Sequence, residues 1–236
     1  MSDSEIQVQD HSAEFYEEVR YKAYGLKYHS AILRGMVTDD LDGVILDVGC
    51  GTGIISRLYP HKDITGIDIS EGMLKYHPGK CLRASADAIP FEDSSFDAVI
   101  GRSILHHLDN PGKALAEMRR VLKPGGKLVL WETNKSWLAQ MIRRAAQSHE
   151  RFSDSHSSFA DLPSLVAEHF DLRQVRYQGF LAYPLFGFPD VTNFAKYMPL
   201  KSWVFWATFK FDMLLSRLPL IRKMAFAVRI KAQKPV

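Results

Sequence analysis

Cysteine is nearly absent from this 236-residue chain: Cys50 and Cys81 are the only two. That is too few for a disulfide-stapled scaffold or a paired-cysteine metal site. A reducing compartment, the cytoplasm, is therefore expected, in keeping with a first five residues that lack the basic and apolar regions of a signal peptide. No apolar run reaches the roughly 18–20 residues needed to cross a bilayer, which excludes spanning but not resting on a membrane surface. Charge of one sign is not in excess either. Thirty Lys and Arg stand against 27 Asp and Glu, a net +3, and nucleic acid is not expected as a partner. Internal repeats are lacking as well. What the chain does have is 46% apolar residues, enough for one sizeable core.

From residue 43 onward, short apolar runs alternate with helical stretches. Strands are expected at 44–48, 64–67, 98–101 and 127–131, and helices at 53–58, 71–76 and 111–121, the last ended by Lys123-Pro124-Gly125-Gly126. This alternation predicts an α/β fold, a Rossmann-like sheet with helices on both faces. Residues 12–37 read as two short helices broken near Gly25. Residues 135–146 read as an amphipathic helix, 152–159 as a Ser-rich loop and 162–169 as a helix. Strands follow at 172–177 and 226–231. The organisation expected is an N-terminal helical cap (1–40), a cofactor-binding core (41–178), an insert (179–223) and a final core strand (224–236).

The chemistry is concentrated after the first strand. Asp47-Val48-Gly49-Cys50-Gly51-Thr52-Gly53 takes an apolar strand into a glycine-rich turn that opens a helix. Without Cβ atoms such a turn can adopt unusual dihedrals and let a ligand lie against its backbone. Asp47 can accept a hydrogen bond from an ammonium group and would disfavour a phosphate. The second strand ends at Asp68, where a carboxylate can accept both hydroxyls of a ribose. Asp87, expected at the end of a third strand, can accept a hydrogen bond from an adenine amino group. A nicotinamide dinucleotide is the main competitor, but it needs Gly-x-Gly-x-x-Gly, and here the third position falls on Ile54.

These residues resemble the class I S-adenosylmethionine-dependent methyltransferases, small-molecule type. The likeness extends to Ser95-Phe96-Asp97-Ala98-Val99, Leu105-His106-His107-Leu108 and Leu122-Lys123-Pro124-Gly125-Gly126, and covers about residues 40–135. It implies a seven-stranded sheet whose last strand is antiparallel; residues 179–223, far too long for a hairpin loop between the last two strands, are read from the chain itself as a helical insert. It also implies S-adenosylmethionine as cofactor: Gly49, Cys50, Gly51 and Gly53 under the methionine part, Asp68 on the ribose, Asp87 on the adenine, Ile69 and Ala88 beside the ring, and the carbonyls of Gly101 and Arg102 toward the ammonium. The N-terminal cap would cover the cofactor, with Tyr16, Tyr21 or Tyr24 touching it.

Methyl transfer from a sulfonium relies on alignment and water exclusion, and a base is needed only for some acceptors. For a hydroxyl acceptor, His107 or His106 is the candidate base, with Glu132 at the end of the adjacent strand to orient it; a His107–Glu132 pair is the expected arrangement. No residue spacing suits a metal ion. The expected reaction is O-methylation of a small or lipid-like hydrophobic acceptor. The alternatives are N- or C-methylation without a histidine base, or a catalytically silent cofactor-binding subunit.

The insert is where the acceptor is expected to be chosen. Residues 180–211 hold eleven of the chain's 27 aromatics, and 179–223 carry a net +4 while 1–178 carry −4. A helix is expected over 201–218 with Val204, Ala207, Phe211, Leu214, Leu215 and Leu218 along its apolar side. Three readings fit it: a lid over the acceptor, a contact of residues 196–223 with an anionic membrane, which would make the protein peripheral there, or a homodimer interface or extra core.

Overall fold

The strand Val44–Val48 (β1) is buried at every residue but its first, as a strand covered on both faces must be. In the computed structural model the described residues are 23–37, 41–134, 161–182, 202–218 and 224–236, with isolated positions Gln7, Asp10, Ala13, Glu14, Glu17, Glu18, Ser136, Leu185 and Ile221. The first described helix, α1 (Ala23–Met36), precedes β1. Then follow α2 (Ile54–Leu58), β2 (Asp63–Asp68), α3 (Glu71–Leu74), β3 (Lys80–Arg83), β4 (Phe96–Arg102), a single 3₁₀ turn (Leu105–His107), α4 (Pro111–Val121) and β5 (Leu122–Thr133). The chain continues with α5 (Leu162–Ala167), β6 (Asp171–Gln178), α6 (Ser202–Leu215) and β7 (Ala227–Gln233).

The strands form one seven-stranded sheet in the order β3-β2-β1-β4-β5-β7-β6. Pairing is parallel from β3 to β5, and β7 runs antiparallel to both β5 and β6. The chain steps outward from β1 to β2 on one side and reaches β4 on the other. The C-terminal ends of β1 and β4 therefore flank a switch point, where open α/β sheets place their ligands. Asp97 ties the opposite end together: Oδ2 accepts from Val44 N at 2.9 Å and Oδ1 from Lys123 Nζ at 2.7 Å.

Helices cover both faces. On one, Tyr28, Ile32, Leu33 and Met36 of α1 pack with Ile45, Ile100, Val129 and Trp131 of the sheet. On the other, Ala114, Leu115, Met118 and Val121 of α4 pack with Leu46, Val99, Leu128 and Leu130. Asn110 caps α4 by accepting from Lys113 N, with Pro111 in the first turn. Fully buried chains such as Leu115 and Leu33 are each worth about 1.5–3 kcal/mol relative to exposure.

Three local expectations are corrected. Gly25 lies in the first turn of α1, which begins at Ala23, and the residues just before that helix, where the expected break would also fall, lie outside those described. The fifth strand starts at Leu122, directly after α4, since Gly125 and Gly126 exchange backbone hydrogen bonds with Lys234 beyond β7. The third strand ends at Arg83, so Asp87 lies in the following turn. In α6 the inward face is Phe205, Phe209 and Asp212, whereas Ala207, Phe211, Leu214 and Leu218 of the expected apolar side are exposed. Hydrophobicity nearly all round this helix leaves periodicity without a preferred face, and the aromatic contacts of Phe205 and Phe209 decide it. The expected helix at 135–146 and loop at 152–159 lie outside the described residues, save Ser136. No helix among those described is long and apolar enough to cross a membrane.

Candidate active site

The turn after β1 is held by its neighbour strand: Gly49 N and Cys50 N both donate to Ile67 O, at 2.8 and 3.0 Å. Gly49, Gly51 and Gly53 all have positive φ, but their surroundings differ. A Cβ on Gly49 would come within 2.9 Å of Ile104, and one on Gly53 within 2.5 Å of His77, so those two glycines permit packing. A Cβ on Gly51 would meet nothing within 4 Å; this glycine faces open space, with φ at +53°. Cys50 turns its side chain away, its sulfur filling the space over Gly66. Burial, with Asp47 and Asp68 nearby, pushes its thiol far above the ordinary range, so it is unreactive.

Two carboxylates border the turn in different ways. Asp68 braces it: Oδ2 accepts from Gly51 N at 2.8 Å and Oδ1 from Ser70 N at 2.9 Å. Burial raises its pKa, against the lowering effect of these bonds. Asp47 is 1% exposed, and its Oδ2 has no hydrogen-bond partner among the described residues. Desolvation pushes its pKa up to about 7; Arg102 opposes the shift and Asp68 adds to it. Thr52 Oγ1 and Asp87 Oδ1 are likewise buried without a partner among the described residues. Buried polar atoms normally have partners. Three of them, with open space over Gly51, fit a ligand that brings a cation and further polar groups, as the ammonium, ribose and adenine of S-adenosylmethionine would.

Asp87 is turned by a bridge between Ser85 and Ala88, the latter exposed; Ile69 is half-buried, and its carbonyl accepts from Arg83 Nε. β4 ends at Gly101 and Arg102, and the chain reverses at Ser103, whose φ of +54° is unusual for a side chain bearing Cβ. Ser103 N donates to Trp131 O at 2.8 Å, fixing the reversal to β5. The Arg102 guanidinium reaches His29 Nδ1 at 3.4 Å, linking the strand end to α1.

The same reversal builds a dyad. Glu132, fully buried near the end of β5, accepts from Ile104 N at 2.8 Å and Leu105 N at 2.9 Å through Oε1. Its Oε2 lies 2.7 Å from His106 Nδ1. The histidine brought to the glutamate is thus His106, where the sequence points to His107. His107, next in the 3₁₀ turn, lays its ring beside that of His106, with centroids 4.1 Å apart and planes tilted by 37°. A carboxylate at Nδ1 favours the tautomer protonated there, which makes Nε2 the basic nitrogen of His106.

The N-terminal segment reaches the site at two described points. Asp10 Oδ1 accepts from Ser70 Oγ and from Gly72 N, beside Asp68. Glu17 pairs with Arg57 at 2.7 Å, and Arg57 also donates to Thr52 O. The side chains of Tyr16, Tyr21 and Tyr24 lie outside the described residues. Sequence reasoning missed Thr52, His29 and Asp10. Thr52 sits between two turn glycines and His29 within the apolar stripe of α1, so both carried a signal; Asp10, 60 residues from Ser70, carried none.

Known proteins agree with this geometry. The methyltransferase domain family matches residues 46–130. The demethylmenaquinone methyltransferase of Renibacterium salmoninarum is 45% identical over 112 residues, 42% of this chain and 46% of that protein, so the match spans about half the length of that relative. The ubiquinone/menaquinone biosynthesis C-methyltransferase of Cupriavidus necator is 30% identical over 166 residues, 56% of this chain and 68% of that protein. Among solved structures, an S-adenosylmethionine-dependent methyltransferase of Thermotoga maritima superposes with a TM-score of 0.66 at 20% identity, covering 97% of this chain and 99% of that one. With its glycine turn, buried carboxylates and strand order all in place, the chain belongs to the class I S-adenosylmethionine-dependent methyltransferases.

Proposed function

We propose that this enzyme methylates a ring carbon of a small, lipid-soluble aromatic acceptor of the quinol type, with His106 as general base. The observation that carries the reading is the His106–Glu132 dyad at the carboxyl end of the sheet. The relatives from Renibacterium and Cupriavidus act, by name, on quinone precursors, and the latter is a C-methyltransferase; this favours carbon over oxygen as the methylated atom.

When bound, S-adenosylmethionine supplies an electrophilic methyl group on a sulfonium. In this reading Asp47 holds its ammonium together with the carbonyls of Gly101 and Arg102, the backbone from Gly49 to Gly53 passes beneath it, and Asp68, still braced by Gly51 N, uses remaining lone pairs for the ribose. Asp87 faces the adenine, bordered by Ile69 and Ala88. His106 Nε2 takes the phenolic proton of the acceptor, which raises electron density at the adjacent ring carbon, and Glu132 stabilises the resulting imidazolium. Methyl transfer to the ring carbon would leave the thioether form of the cofactor and a dienone; the ring proton then passes to water while His106 Nε2 returns its proton to the oxygen, restoring the aromatic quinol and the free base. His107 packs against the base and positions it.

Incubation with S-adenosylmethionine and a water-soluble short-chain naphthoquinol, with the product analysed by NMR, tests this reading. A methyl on a ring carbon is expected. A methyl ether, or no methylated quinol while the cofactor binds, would overturn it.

A further inference from the structure

We infer that the outward face of α6 is a docking surface for an anionic lipid bilayer. The inference deepens the acceptor reading above and rests on it only for the purpose of docking, not for the docking itself.

The helix is fixed so that it cannot turn its apolar side inward. Asp212, buried, accepts from Leu181 N and Ala182 N, each at 2.9 Å, which ties α6 to the segment following β6. Phe205 and Phe209 stack 6.1 Å apart, and Phe209 meets the buried Tyr28 of α1 edge-on. With that face committed to the core, the other presents Trp203 at 67% exposure, Leu214 at 56%, Phe211 at 48% and Leu218 at 45%. Large apolar chains in one contiguous arc on a surface mark an interaction site.

Charge selects the occupant. Lys210 and Arg217 are the charged residues on this outward arc, and no acidic side chain shares it among the described residues; Asp212 points inward. A second copy of the same face would bring like charges together, whereas phosphate headgroups complement them. Tryptophans at 203 and 206 suit the boundary between headgroups and acyl chains. At 14 residues the helix is about 21 Å long, right for lying in the interface and too short to cross it. Beneath it, Tyr28 and His29 of α1 lead to Arg102 at the end of β4. A lipid-soluble acceptor would thus leave the bilayer on the side of the molecule that holds the cofactor site.

Flotation of the full chain with vesicles tests the surface. Wild type is expected to float with phosphatidylcholine–phosphatidylglycerol vesicles at low salt, and less at high salt or with phosphatidylcholine alone. Leu214→Glu, with its fold checked by its unfolding midpoint, should lower the bound fraction at least about tenfold, and Trp203→Ala, checked in the same way, should lower it too. Absence of flotation at low salt, or Leu214→Glu floating like wild type, would overturn the inference. So would a wild-type dimer in sedimentation velocity that Leu214→Glu dissociates without any vesicle binding, since the face would then be a self-interface. Activity on the water-soluble naphthoquinol is measured alongside and should not change in Leu214→Glu. Its absence in wild type strikes the acceptor reading alone and leaves the flotation result standing.

Discussion

The turn after β1 and the outer face of α6 invert the usual burial rule in opposite ways. At the turn, polar atoms of Asp47, Thr52 and Asp87 are buried without partners among the described residues. On α6, Trp203, Phe211 and Leu214 are exposed. Each arrangement costs free energy in the isolated chain. A polar ligand would satisfy the first and an apolar environment the second, so the two regions describe the two things the protein would bind.

The largest expected effect separates chemistry from both binding regions. His106→Ala should lower kcat roughly 10²–10⁴-fold while cofactor Kd from calorimetry stays unchanged; an unaltered kcat would remove the base from the mechanism. His106→Gln, which can still meet Glu132, should keep the stability of wild type and not its rate. Next is the anchor of α6. Asp212→Ala leaves the Leu181 and Ala182 amides unpaired and should lower stability in urea on the order of 2–4 kcal/mol. A loss confined to vesicle binding would show that α6 is not fixed by this carboxylate.

Asp47 sharpens the contrast through pH. Its folded pKa, about 7, stands above the ordinary 3.8. The stability contributed by its protonated form is therefore complete below about pH 4 and is lost as pH rises through 7, on the order of 4 kcal/mol in all. Cofactor binding runs the other way, because only the ionised carboxylate attracts an ammonium, so affinity should rise as pH passes upward through 7. Asp47→Asn should stabilise the cofactor-free protein at pH 8 and weaken S-adenosylmethionine binding by about 1.5–3 kcal/mol. Parallel changes in the two would sink the assignment. The smallest effect is at Gly51: alanine there should cost about 1 kcal/mol of stability for its left-handed backbone, yet weaken the cofactor at least about tenfold. Equal losses would mean that the open space beside it is not the ligand's.

Much of the cofactor half was readable from the chain because its signals are local. The β1 residues and their glycines occupy adjacent positions, and the carboxylates of Asp47 and Asp68 end successive strands, so spacing reveals them. Asp87, expected at a strand end, lies one turn beyond it, since β3 is short and its side chains are exposed or half-buried. The dyad was half legible. Glu132 follows from the strand, but the choice between His106 and His107 depends on the rotation of one 3₁₀ turn, fixed by Glu132 accepting from Ile104 N and Leu105 N. On α6 periodicity failed outright, because a helix apolar on nearly all sides carries no preference until a partner takes one side.

The sequence by itself determined the class of sheet, the glycine turn and the carboxylates proposed to recognise the cofactor, because these rest on backbone conformation and strand ends, which neighbouring residues dictate. Tertiary structure decided which histidine meets Glu132, that Asp68 braces Gly51 and that α6 shows its tryptophans to the outside. Each of those outcomes depends on contacts between residues far apart in the chain, Glu132 with Ile104, Asp68 with Gly51 and Asp212 with Leu181, which local propensity does not encode.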